Sequence, residues 1–206
     1  RMDGLAQRIG VPTHPVHSIM GRTDDVVLLA GIVRHRPRAK VDYVMMRSVH
    51  PAEGRRVPDG LTVRCGEPGD LEALMPLQEG YELEEVLLNG ERFDHAGARA
   101  QLRATLRSQL TSVAVMDGRL VGKASTNATG FGVAQIGGVY TVPALRGRGI
   151  AQSVVRHLCD RIRDSERVPT LFVKTGNHTA IRAYENLGFT AEGSYRIMYY
   201  WSRSAR

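Results

Sequence analysis

The chain of 206 residues is 42% hydrophobic and 24% charged, the balance of a globular protein that can bury a full core, and its net charge of +7 comes almost wholly from arginine. No apolar run reaches about eighteen residues, which excludes a membrane-spanning helix, and no secretory leader pattern occurs. Cys65 and Cys159 stand far apart with no C-x-x-C pair, so neither a disulfide framework nor a metal site is expected, and a reducing cytoplasm is the expected compartment.

Residues 1–57 differ in character from the rest of the chain. In "HPVHSIMGRTDDVVLLAGIV", Thr23 suits an N-cap, with acids in the first helical turn. "RHRPRAK" is a basic, Pro-broken connector. "VDYVMMRS" reads as a strand with apolar residues on both faces, as in a strand covered on both sides. One helix and one strand cannot bury a core alone, so the segment must dock on the remainder or on another copy, which leaves a homodimer open. "HPAEGRRVPDG" (50–60) reads as a linker. The expected division is therefore an accessory segment, 1–57, and a principal domain, 58–206. The accessory segment is either the remnant of a second, similar α/β unit whose strand extends a sheet, or a mobile extension.

From Leu61 the pattern is denser. "LTVRC" is a short strand, and Asp70 suits the N-cap of "LEALMPLQEGYELEEVLL", which Pro76 should kink or end. Asp94 can cap a second helix in which Leu102, Leu106 and Leu110 recur every four residues. Arg99, Arg103 and Arg107 lie on another face, which the simpler reading makes solvated rather than a binding surface. "TSVAVMDGRLVGKAS" is a hairpin, with Asp117-Gly118 suited to a type I′ turn. A long strand runs from about Phe131 to Val142, and its Gly137-Gly138 pair marks a bulge or the close approach of a ligand. The helix from Gly149 carries Ile150, Val154, Val155, Leu158 and Ile162 on one face. "PTLFVK" is a strand, "NHTAIRAYENL" a helix and "FTAEGSYRIMYYW" a closing strand. The order β-α-α-β-β-β-α-β-α-β implies an α/β (α+β) fold with a mixed sheet and helices on both faces.

The turn "VPALRGRGIAQ" joins a strand to a helix. A helix start offers unpaired N–H groups and the positive end of the macrodipole, and glycine admits a ligand close to the backbone. Arg146 and Arg148 add charge at the rim, so the stretch Arg146, Gly147, Arg148, Gly149, Ile150, Ala151 is built to cradle a pyrophosphate. The alternative is an ordinary tight turn with exposed arginines. No P-loop is present. The dinucleotide fingerprint fails because Gln152 stands at the third glycine and the next strand ends at Lys174, with no acid. No aromatic-interleaved basic motif supports nucleic-acid binding.

Arg146-x-x-Gly149-x-Ala151 after "VYTVP", together with "GNHTAIRAYENLGF", resembles the two signatures of the GNAT superfamily of N-acetyltransferases. The resemblance covers about residues 61–201. It implies a mostly antiparallel central sheet with a β-bulge, acetyl-CoA as acetyl donor, and direct attack by the amine of a small-molecule or peptide acceptor on the thioester. It also implies that the pantetheine arm pairs with the backbone of Val139, Tyr140 and Thr141, and that Asn177 belongs to the second signature beside Tyr184. Asn177 and Tyr184 are two helical turns apart on one face, and a Tyr hydroxyl held at the sulfur could protonate the leaving thiolate. A packing role is the alternative for Tyr184. The central strand has Gln135 and no acid, where family members often place a glutamate. Glu82, Glu84 and Glu85, near the acceptor side in this family, either bind or deprotonate the amine or form a solvated helix end. The missing acid keeps a second reading open, a catalytically weak acetyl-CoA-binding sensor or assembly module.

Overall fold

The computed structural model describes residues 16–33, 35–50 and 57–200. Most of the predicted linker, the first fifteen residues of the accessory segment and Trp201 lie outside them. The strands are β1 (Ser18–Arg22), β2 (Ala39–Arg47), β3 (Leu61–Cys65), β4 (Thr111–Met116), β5 (Arg119–Gly130), β6 (Val133–Thr141), β7 (Val168–Lys174) and β8 (Thr190–Tyr199). The helices are α1 (Thr23–Ala30), α2 (Leu71–Tyr81), α3 (His95–Ser108), α4 (Ile150–Asp164) and α5 (His178–Glu185), with a π-helical turn, Glu82–Val86, extending α2. All eight strands form one sheet in the order β1-β8-β2-β7-β6-β5-β4-β3. Among them only the β6–β7 pair is parallel. From residue 61 onward this is the mixed sheet that the element order implies, and it is mostly antiparallel, as the resemblance implies.

Helices cover both faces. On one, α2 and α3 pack Leu74, Met75, Leu77, Ala98 and Leu102 against Val113 and Tyr140. On the other, α4 lays Ile150, Val154, Val155, Leu158 and Ile162 against the sheet, each no more than 1% exposed. Each such side chain stabilises by roughly 1.5–3 kcal/mol. Arg161 and Arg163 sit in the last turn of α4, where the macrodipole favours cations.

Several local expectations are corrected. Pro76 does not end α2, which runs unbroken through it. Its cost of ~3 kcal/mol is outweighed by burial of Leu71, Leu74, Met75 and Leu77 around it. Asp70 stands at the N-cap position but makes no side-chain cap; it takes two hydrogen bonds from Arg64 instead. Thr23 is the first residue of α1 rather than its cap. Leu110 falls beyond α3, and Phe131 is the exposed tip of a second hairpin rather than part of β6. Asp117 and Gly118 both have positive φ, as a type I′ turn requires.

Two features shape the site. In β6, Tyr140 pairs with Lys123 and Gly137 with Ser125, so Gly138 and Val139 face Ala124 alone. That is a bulge, and Gly138 takes φ +61 there. A side chain at Gly137 would collide with Asn127. Beyond it, the parallel pairing ends at Ile136–Leu171, although β6 continues to Thr141 and β7 to Lys174. The two strands part there. On its far side β7 is closed by β2, which pairs antiparallel with both β7 and β8 and so lies in the interior of the sheet.

Candidate active site

The opening between β6 and β7 leads to the Arg-Gly-Arg-Gly turn. Gly147 and Gly149 adopt φ +76 and +82, which only glycine takes readily, and nothing lies within 4 Å of the place a Cβ would occupy on Gly147. The helix start at Gly149 has no side-chain cap and no acid in its first turn. The backbone of Ile150 and Ala151 therefore begins a helix with uncapped N–H groups, while the Ile150 side chain is core. Arg148 is exposed at the rim. On the parted half of β6, Val139 packs into the core and the Thr141 Oγ1 is buried with no hydrogen-bond partner among the described residues. An open glycine cradle, an uncapped helix start and an orphaned hydroxyl fit an elongated, anionic donor laid along this edge.

The predicted acidic cluster does not act as one unit, because the π-helical turn aims its members differently. Leu87 N–H bonds to Glu82 O, five residues back. Glu84 accepts two hydrogen bonds from Arg146 Nη2, at 2.9 and 2.8 Å, and one from Tyr140 Oη at 3.3 Å. Arg146 also lies 5.3 Å from the Tyr140 ring centroid and donates to Thr141 O. Glu85 pairs with Lys174 at 3.0 Å. The turn therefore spans the opening, from Arg146 after β6 to Lys174 at the end of β7. Glu82 points the other way. It is buried, accepts from Gln78 Nε2 at 2.8 Å, and lines a polar cleft of about 490 Å³ between α2, α3 and β5.

Lys123, which no sequence motif singles out, forms part of this cleft. It is 2% exposed, donates to the bulge carbonyl of Gly138 at 3.0 Å, and lies 4.9 Å from the Tyr81 ring centroid. Burial lowers its pKa to about 8, with the Glu82 charge opposing. The other polar side chains of the lining are amides and hydroxyls, among them Gln101, Thr105, Gln109 and Ser125, interspersed with the apolar Val86, Leu102 and Ala104. The sequence holds one signal, a lysine inside the small and apolar run "LVGKAS" of a strand.

Tyr184 packs its ring edge-on against Phe189, 6.0 Å between centroids, within the core formed with α4. Burial first, then the charges of Glu85 and Tyr81, push its pKa up and keep the phenol protonated. Asn177 caps α5, its Oδ1 accepting from Ala180 N–H at 3.1 Å, and so fixes the helix that carries Tyr184.

Residues 77–189 match the sequence profile of the acetyltransferase (GNAT) family, and the chain belongs to that family. Over 148 residues, 65% of this chain and 46% of the relative, it is 30% identical to the mycothiol acetyltransferase of Thermomonospora curvata. The chain thus spans about half the length of that relative. A GNAT-family acetyltransferase from Colwellia psychrerythraea superposes with a TM-score of 0.67 at 13% identity, covering 97% of this chain and 71% of that one. A structure from Salmonella typhimurium with its cofactor acetyl-CoA superposes with a TM-score of 0.55 at 19% identity, covering 71% and 98%. These two are likenesses of fold. No helix among the described residues is long and apolar enough to cross a membrane.

Proposed function

We propose that this chain transfers an acetyl group from acetyl-CoA to the primary amine of a small polar molecule, without an acyl-enzyme. The observation that carries the reading is the parting of β6 and β7 beyond Ile136–Leu171, with the uncapped glycine turn at its end. Acetyl-CoA supplies an activated acyl thioester. The helix start from Arg146 to Ala151 holds its pyrophosphate, and the backbone edge of Val139, Tyr140 and Thr141 beside the opening receives the pantetheine arm. Tyr184, kept protonated, donates to the departing sulfur. The polar cleft on the α2–α3 face, which meets the opening at Gly138, takes the acceptor. Its amide and hydroxyl lining suits a hydrogen-bonding small molecule, and a small-molecule acceptor accords with the name of the Thermomonospora relative.

Pooled primary amines incubated with acetyl-CoA, with release of free thiol monitored, test this. Amine-dependent thiol release is expected. Tight acetyl-CoA binding with no turnover of any amine would instead favour the sensor reading, which the acid-free strand "VAQIGGVYT" keeps in play.

A further inference from the structure

Resting on the acetyl-transfer reading, we propose that Lys123 is the base that takes the proton from the acceptor's ammonium nitrogen. Its position, its bonding and its surroundings all suit it to this. It lines the polar cleft that reaches the bulge, and its Nζ is held at 3.0 Å from Gly138 O, beside the point where β6 leaves β7. An ammonium has three N–H donors, yet among the described residues Lys123 bonds one acceptor and otherwise faces the Tyr81 ring. A neutral amine fits that environment better, and it presents a lone pair.

The groups facing Lys123 are few. Glu82 comes from the π-helical turn, held by Gln78, and Tyr81 from α2. From β6 come Gly138 and the paired Tyr140, whose hydroxyl is turned to Glu84. The side chains that α3 contributes to the cleft are uncharged. Glu82 is thus the one carboxylate in the cleft lining, suited to attract a cationic amine, while burial leaves Lys123 half neutral at a pH of about 8.

The proton balance closes. One proton moves from the acceptor R–NH3⁺ to neutral Lys123. The freed nitrogen pair attacks the acetyl carbonyl carbon, the C–N bond forms, and the C–S bond breaks with its pair on sulfur. Tyr184 gives its proton to that sulfur and is restored by the surplus proton on nitrogen, giving amide and thiol, and Lys123 returns its proton to water through the open cleft.

The chain has three lysines, Lys40, Lys123 and Lys174, so ¹³C-lysine labelling of the full chain gives three resonances to follow with pH, Lys123 being assigned as the one lost in Lys123→Gln. Its midpoint is expected at about 8. In wild type, kcat/KM for the amine found by the thiol-release screen should rise through that same midpoint. In Lys123→Gln it should fall ~10²-fold, with the rise displaced to the amine's own ionisation and KM for acetyl-CoA unchanged. A lysine that only held the bulge would lower activity equally at every pH, and that result overturns the proposal. So does finding all three lysine midpoints at the ordinary ~10.4, which is readable in wild type without any assignment even if the variant fails to fold. Failure of every amine to be turned over by wild type would overturn acetyl transfer itself, and this role with it.

Discussion

Between Val133 and Ile136, β6 has a partner on each side, β5 and β7; between Gly137 and Thr141 it keeps β5 alone. The paired half buries Ala134 and Ile136 almost completely. The parted half carries the bulge, two glycines and a buried hydroxyl without a partner among the described residues. Leaving buried backbone or side-chain polar groups unpaired costs about 1–3 kcal/mol each, so a strand that does so in mid-sheet gives up stability where a ligand can restore the bonds. On the proposed reading, one strand serves as scaffold at one end and as a binding edge at the other, and the bulge divides the two.

If that division holds, substitutions on the two halves should separate stability from chemistry. The largest effect belongs to the paired half. Ile136→Ala should cost about 2–5 kcal/mol of stability, read by denaturant unfolding, while the folded fraction still binds acetyl-CoA as wild type does. A comparable loss of affinity in the folded fraction would erase the division. Next is Tyr184→Phe, which should lower turnover ~10²-fold with acetyl-CoA binding near normal; full turnover would leave Tyr184 a packing residue. Gly149→Asp then puts a side chain and a negative charge into the cradle, and calorimetry should register at least a roughly tenfold weaker acetyl-CoA, about 1.4 kcal/mol. Unchanged affinity in a folded variant would remove the turn from the site. The smallest effect is expected from Glu84→Gln. Its pair with Arg146 is nearly half exposed on both sides, so its loss is worth ~0.2–1 kcal/mol and should raise acetyl-CoA affinity a few-fold at low salt. A drop in affinity would mean that the π-helical turn supports the ligand instead of competing for Arg146.

How much the sequence discloses depends on how local each cause is. The face of α4, the capping of α3 by Asp94 and of α5 by Asn177, and the turn at Asp117-Gly118 all depend on residues within a few positions of one another. The cradle at Gly147 and Gly149 is equally local. Lys123 is illegible as a site residue because its meaning comes from Tyr81 and Gly138, brought together by α2 crossing the bulge. Glu82, Glu84 and Glu85 look equivalent on a regular helical continuation, whereas the π-helical turn gives each a different neighbour. "VDYVMM" is readable as a strand, although of β2 only Met46 is fully buried, but its position is not readable, since pairing with β7 and β8 is set by residues more than a hundred positions away. β1 escapes a sequence reading for the same reason. It has too few apolar residues to declare itself without β8 beside it.

The interior place of β2 also dictates an order of assembly. Residues 39–47 emerge during synthesis long before residues 168–199, yet they fit only between strands made from those residues. Meanwhile β4 to β6 can assemble as local hairpins, and β3 joins β4 across α2 and α3 without needing any residue beyond β6. The slot for β2 is therefore closed late, by long-range contacts whose loop-closure entropy slows folding. Until then β7 and β8 each present a bare edge to the slot. Such an edge accepts any matching strand, and the best match to hand at high concentration is β2 of another molecule, so slow closure brings with it a tendency to exchange strands between copies.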